Sequence, residues 1–332
     1  MRGDRSLSPA VMPKVQLPQP GRPYVLVEPA DEHGLLDIEP DAIIALYKAY
    51  GALLFRGFAM EVSDFRRFAR AFCPTSVLNE SPGRRPIEPE HNIHTVDGGM
   101  GAFNLHPELS REPWKPDVAF FGCISAPARG GATTICDGVE LVQQLPEPVR
   151  QGLAHRRLLY IKPTWPSLLE YWLGTPDPTD AQLASPPSWC PYFFRRIDGE
   201  VVRIFTRPAL HKPMFIDAPA FGNFLLFARF NNGRSDHPVL DDGRPVPEQW
   251  LQAIKATGDR LATPIRWRNG DVLMLDNTRF MHGRSPIFDA SERIIATFFG
   301  YLGFAKPDPE EPAGAPWRRS DFQPPLPPDF PG

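Results

Sequence analysis

The chain has few cysteines, no long apolar run and no excess of basic charge, and each shortage narrows its class. Cys73, Cys123, Cys136 and Cys190 form no CxxC pair and no zinc-like spacing to histidine. That excludes a disulfide scaffold and leaves buried small hydrophobes in a reducing compartment. No apolar stretch reaches the roughly 20 residues of a membrane helix. The start, Met1–Ser6, lacks the apolar stretch of a signal peptide, so a cytoplasmic protein is expected. A net charge of −3 offers no basic face to nucleic acid or to a membrane surface. Arg195, Arg196, Arg203, Arg207, Arg229 and Arg234 do thicken the middle, either as a solvated face or as the lining of a site for an acidic substrate.

Proline, by contrast, is abundant, with 41 residues in 332. Nine of them lie in residues 306–332, which reads as a Pro-rich tail that cannot join a sheet interior but can drape on the body through Trp317 and Phe322. Residues 1–22 read as a similar extended arm. The pattern is that of one domain spanning the whole chain, 1–332, with a core over 45–305 between the two arms. Residues 41–50 and a segment capped by Ser63 have helical periodicity. Residues 74–89 are rich in Pro and Gly. Strands are expected at 52–58, 92–95, around His106, at 117–124, 130–137, 157–162, 200–205, 265–268, 272–276 and 293–302. Residues 138–153 read as a helix interrupted by proline, and 247–257 as a further helix. A helical and irregular insert occupies about 163–260, and within it residues 163–191, rich in Pro and Trp, look irregular. Mostly β structure with flanking helices, its first and last thirds packed around a middle insert, argues for a double-stranded β-helix, or jelly roll.

One short run carries chemistry. His106 and Glu108 flank Pro107, and His282 lies far downstream in Asn277–Arg284. Side chains two apart on a strand share a face. A His and a carboxylate there, joined by a distant His, make the facial triad of non-haem Fe(II) oxygenases, with open positions for co-substrate and dioxygen. Alone, His-x-Glu is more often a surface or capping pair, and Pro107 places it at a strand end or edge. His282 alone is equally a turn histidine. His91, His94 and Asp97 form a rival cluster without a helical setting. His33, His155, His211 and His237 show no partner pattern. Arg293 could be a surface cation or a carboxylate clamp. Gly130–Thr133 could be an ordinary turn or could add a hydroxyl to that clamp.

In order, Gly51–Phe58, Leu105–Ser110, Phe120–Cys123, Gly130–Asp137, Gly270–Asn277, Met281–Pro286 and Arg293–Ala296 resemble the Fe(II)/2-oxoglutarate dioxygenases of the taurine dioxygenase (TauD/TfdA) family. The likeness leans to its syringomycin-hydroxylase-like branch, and runs from about residue 51 to residue 301. It implies a jelly-roll core, with His106, Glu108 and His282 as iron ligands and Thr133 and Arg293 as binders of the 2-oxoglutarate carboxylate. It implies Fe(II), 2-oxoglutarate and dioxygen as cofactor and co-substrates. The implied reaction hydroxylates an unactivated C–H bond of a small amino-acid substrate, free or tethered to a carrier protein, in specialised metabolism, with release of succinate and CO2. The same iron chemistry giving desaturation or cyclisation is one alternative; a non-catalytic jelly-roll binding or sensing protein is another. Related halogenases have a small residue where Glu108 stands, so halogenation is not expected. The chain departs from relatives at Pro107 (Asn in many), Ala132 (an acid in many) and Thr297 (a second Arg in some). Substrate candidates are His94, Asp97, Arg207, Arg229 and Arg284. Residues 215–235, which face the substrate in relatives, match poorly. Oligomeric state is not legible.

Overall fold

Two-residue alternation explains the middle of the molecule. The computed structural model describes residues 13–30, 34–79, 81, 83–289 and 293–328. Among these, the first third contains β1 (Lys14–Gln16), β2 (Val25–Glu28), β3 (Ala52–Phe55), β4 (Thr75–Ser76), β5 (Pro86–Glu88), β6 (Ile93–Thr95) and β7 (Phe103–His106). The middle adds β8 (Val118–Ser125), β9 (Thr133–Asp137), β10 (Arg157–Pro163), β11 (Phe193–Ile197), β12 (Glu200–Pro208) and β13 (Val239–Leu240). The last third adds β14 (Thr263–Ile265), β15 (Val272–Asp276), β16 (Phe280–Arg284) and β17 (Ile294–Tyr301). The helices are α1 (Pro40–Tyr50), α2 (Val62–Phe72), α3 (Gly138–Gln144), α4 (Glu147–Ala154), α5 (Pro166–Leu173), α6 (Asp180–Ala184), α7 (Leu225–Phe230) and α8 (Glu248–Leu261).

The large sheet runs β1-β2-β3-β15-β8-β17-β6-β5, with β4 on the end of β17; a smaller sheet runs β14-β9-β16-β7. Phe121, Leu273, Leu275 and Phe299 point inward and pack with Ile135, Ile265 and Phe280 of the small sheet. Their neighbours Phe120, Val272, Met274 and Phe298 point outward, under Phe65, Phe68 and Phe72 of α2. Both faces of the central strands are therefore dry, which is why these strands read as continuous apolar runs. Leu141, Leu226, Leu251 and Ile254, on α3, α7 and α8, cover Cys136 and Met281 on the outer face of the small sheet. This is the jelly roll expected from the sequence.

Four local differences have physical causes. Helix α2 is capped at Glu61 rather than at Ser63, and the Glu61 N–H donates to the Asp64 carboxylate at 3.3 Å. The region after Pro163 holds α5 and α6 rather than irregular chain. Pro166 sits in the first turn of α5, where its missing N–H costs nothing, and Thr179 caps α6. The insert builds its own sheet, β11-β12-β10-β13, which begins at Arg157, ahead of the 163 read from the sequence. Near the N-terminus, β1 pairs antiparallel with β2 as a hairpin. Residues 1–12 and His33 lie outside the described residues. Among the described residues no helix is long and apolar enough to cross a membrane.

Trp317, in the Pro-rich tail, is buried and packs in the inter-sheet core, while Phe322 lies against its margin. Beside it, Arg318 grips Asp117 at 2.9 and 3.1 Å. Replacing a buried tryptophan with alanine costs about 3–5 kcal/mol. Trp317→Ala is therefore expected to lower the urea midpoint clearly; an unchanged midpoint would mean that the tail merely rests on the surface.

Candidate metal centre

Strands β7 and β16 are antiparallel neighbours, and their register sets His106 directly opposite His282. The two rings lie 4.7 Å apart, centre to centre. Strand β7 stops at His106 because Pro107 has no N–H for the ladder. Glu108 therefore does not share the strand, as the sequence reading had it, but arrives on the following turn, where Leu109 has φ +50°. Asn277, at the end of β15, holds this turn. Its Oδ1 accepts the Glu108 N–H at 2.8 Å, and its Nδ2 donates to the carbonyls of Glu108 at 3.1 Å and Pro116 at 2.8 Å.

One donor atom from each of His106, Glu108 and His282 falls within a 4.8 Å cluster. His282 Nε2 lies 3.1 Å from Glu108 Oε1. Two donors about 2.1 Å from one ion and at right angles to it lie about 3.0 Å apart, so this spacing fits adjacent ligands of a metal. The His106 Nδ1–H donates to the Asn104 carbonyl at 2.8 Å, which leaves Nε2 with its lone pair. Burial, reinforced by His282, pushes the His106 pKa down to about 3, so the ring is a neutral donor. His282 Nδ1 is buried without a hydrogen bond. Its ring is held instead by the edge of Phe121, at 5.0 Å. Burial alone would raise the Glu108 carboxyl; Arg84 and the two imidazoles outweigh it and hold the group ionised.

Arg84 was not singled out in the sequence. It donates to Glu108 Oε1 and to the Thr297 hydroxyl, both at 3.0 Å, and lies over the Phe299 ring. Asn79 donates to the other Glu108 oxygen. Both residues come from the Pro/Gly-rich stretch around 74–89, where no periodicity marks a side chain as pointing inward. Where some relatives have a second arginine, Thr297 thus receives a guanidinium from another loop.

Arg293 stands just before β17. Its Nε donates to the Gly131 carbonyl at 2.9 Å, and Gly131, at φ +66°, has no room for a Cβ, which would meet the Arg293 side chain at 2.9 Å. Burial and Arg284 lower the Arg293 pKa to about 10, and among the described residues no ion pair holds this guanidinium. Thr133 faces Arg284 across the β9–β16 pairing, two residues along from the His282 level. The Thr133 hydroxyl accepts the Trp267 indole N–H at 3.1 Å, which frees its own hydrogen to donate. Trp267 is a third residue the sequence did not reveal. One cavity is lined by the triad together with Thr133 and Arg293.

Residues 18–298 match the model of the taurine catabolism dioxygenase TauD, TfdA family. The chain belongs to this family. It is an Fe(II)/2-oxoglutarate-dependent dioxygenase, and the His-Glu-His cluster is present for the metal. It is 20% identical over 264 residues (71% of this chain, 78% of the relative) to the dapdiamide synthesis protein DdaC of Enterobacter agglomerans. It is 25% identical over 293 residues (74% of this chain, 81% of the relative) to a clavaminate synthase-like protein of Arabidopsis thaliana. Among solved structures it resembles PvcB of Pseudomonas aeruginosa, an Fe, alpha-ketoglutarate dependent oxygenase from an isonitrile synthetic pathway. The TM-score is 0.58 at 15% identity, covering 93% of this chain and 98% of that one; this likeness bears on the fold.

The substrate candidates divide. Asp97 lines the dioxygenase cavity, accepts from Ser81 and lies 3.8 Å from Arg84. Arg284 also lines it, but its guanidinium is spent on the carbonyls of Asp97, Gly99 and Gly101 at 2.7–3.0 Å. His94 is half-buried, and its carbonyl accepts the Thr297 hydroxyl; its ring is not part of the cavity wall. Arg229 is tied to Glu248 near the surface, and Arg207 lines a different cavity. The sequence placed both by their arginine clustering alone, which says nothing about direction. Among the described residues, His91, His94 and Asp97 do not gather as a metal group.

Asn277→Ala removes the anchor of Glu108 while sparing every donor atom. Loss of such a supporting partner lowers metal affinity by roughly 10–100-fold. Titration with Mn(II), read by electron paramagnetic resonance, measures it; wild-type affinity would show that the turn holds itself.

Proposed function

We propose that the protein hydroxylates an unactivated C–H bond of an amino acid or amino-acid-derived small molecule, free or presented on a carrier protein, in specialised metabolism. His106, Glu108 and His282 hold Fe(II), and Arg293 with Thr133 takes the far carboxylate of 2-oxoglutarate. One observation carries this reading: the triad, an arginine with no ion pair among the described residues, and the hydroxyl line a single cavity. Bound Fe(II) and 2-oxoglutarate supply the oxidising power, by activating dioxygen with release of succinate and CO2.

The chain's own residues supply geometry. The Arg293 fork matches a carboxylate with two parallel hydrogen bonds. Its approach is fixed by the Gly131 carbonyl, and the Thr133 hydroxyl adds a third donor. Phe121 and Phe227 pack against the rings of His282 and His106 and keep water from the metal faces they cover. A second cavity of about 390 Å³ adjoins the first, sharing Arg84, Asp97, His106 and Glu108, and reaches Lys162 and Arg234. There Lys162 is paired with Glu112 and Arg234 with Asp236, and the Asp97 carboxylate faces the same space. The name of DdaC, a dapdiamide synthesis protein, supports a place in specialised metabolism.

Glu108→Ala is expected to abolish succinate release; turnover at the wild-type rate would sink the ligand assignment. Arg293→Ala is expected to weaken 2-oxoglutarate by roughly 2–5 kcal/mol, since it strands a buried carboxylate; a 2-oxoglutarate titration that does not move refutes the clamp. A succinate-release screen over free and carrier-bound amino acids, with product mass gaining one oxygen, identifies the substrate.

A further inference from the structure

Behind the turn that carries Glu108 lies a separate cavity of about 510 Å³, sharing no lining residue with the two cavities at the metal centre. Lys115 and Arg207 both line it. Lys115 is only 9% exposed, and its ammonium has one long contact, to the Gly222 carbonyl at 3.5 Å. Arg207 donates through Nη2 to the carbonyls of Glu112 and Pro113, while its Nε is buried with no partner. Among the described residues neither cation has an ion pair. The acids nearby are engaged: Asp117 with Arg318 and the Leu302 N–H, Glu311 with Arg318, Glu310 with Arg157, Asp276 with Thr278, Asp308 with the Glu310 N–H. His211 adds no third positive charge, since burial and Lys115 keep it neutral.

A buried ammonium and a partly buried guanidinium, with no counter-ion among the described residues, repel each other, and both have lost hydration. The strain shows in the Lys115 ammonium, whose pKa burial and Arg207 push down to about 7. An oxyanion between them would relieve both costs, with the ammonium as a point charge and the guanidinium as a fork. Leu210, Pro213, Met214 and Pro307 give the cavity an apolar wall, and its volume suits an organic ligand. We propose that this cavity is a second binding site, distinct from the metal centre, for a small organic oxyanion, either a carboxylic acid or a phosphate ester, held between Lys115 and Arg207. It stands independently of the proposed reaction.

Calorimetry and thermal unfolding of the metal-free, full-length protein at constant chloride test it, with succinate and glycerol phosphate as separate probes. The experiment uses wild type and Arg293→Ala, the latter removing the co-substrate clamp. At least one probe is expected to bind saturably and raise the melting temperature in both proteins; which one does so distinguishes acid from phosphate. Adding Lys115→Met is expected to abolish that rise. It is also expected to raise melting without any probe, because an apolar chain of similar size replaces an unpaired buried charge. Arg207→Gln is expected to weaken the probe at least tenfold, and it carries the same test if Lys115→Met does not fold. The proposal is overturned if neither probe stabilises beyond chloride, if binding disappears in Arg293→Ala, or if stabilisation survives both the Lys115 and the Arg207 substitutions.

Discussion

Three hydrogen bonds from the Asn277 side chain hold the turn on which the metal centre depends. Pro107 ends β7 one residue after His106, so the backbone at Glu108 loses its sheet partner. Asn277 replaces that partner with an amide, a donor and acceptor that mimics a peptide group. It follows β15, whose five residues are all buried in the middle of the large sheet. The two histidines belong to the small sheet, and Glu108 is referenced to the large one. The centre thus spans the sandwich, and its geometry is as rigid as the packing between the sheets.

Charge around this centre is arranged by what each guanidinium finds to bond. Arg284 spends its donors on four backbone carbonyls and so pins residues 97–101 above the cavity. Arg84 neutralises Glu108 and reaches Thr297. Arg293 is steadied at one nitrogen by Gly131 and has no ion pair among the described residues. Three arginines on one cavity therefore do three different things. The difference comes from the neighbouring backbone, not from the side chain.

The architecture was legible because its strands are dry on both faces or alternate strictly, and such patterns survive any rearrangement of the loops. The triad was legible from residue type and order: His106, Glu108 and His282 are the donors a facial site needs, and Arg293 and Thr133 stand at the matching places downstream. Arg84, Asn79 and Trp267 were not, since they come from loops or a strand end with no period to give direction. Arg207 and Arg229 illustrate the converse, as arginines in a basic stretch whose side chains turn away from the metal.

By itself the sequence determined the sheet-forming runs, the donor set and the clamp candidates, because local periodicity and chemical type are properties of the chain. Only the tertiary structure decided that His106 faces His282 across a strand pair, that Glu108 leaves the strand and hangs from Asn277, and that Arg84 closes on Glu108. Those are contacts between residues far apart in sequence, fixed by strand register and by where a proline ends a ladder, and no local pattern encodes the partner at the other end.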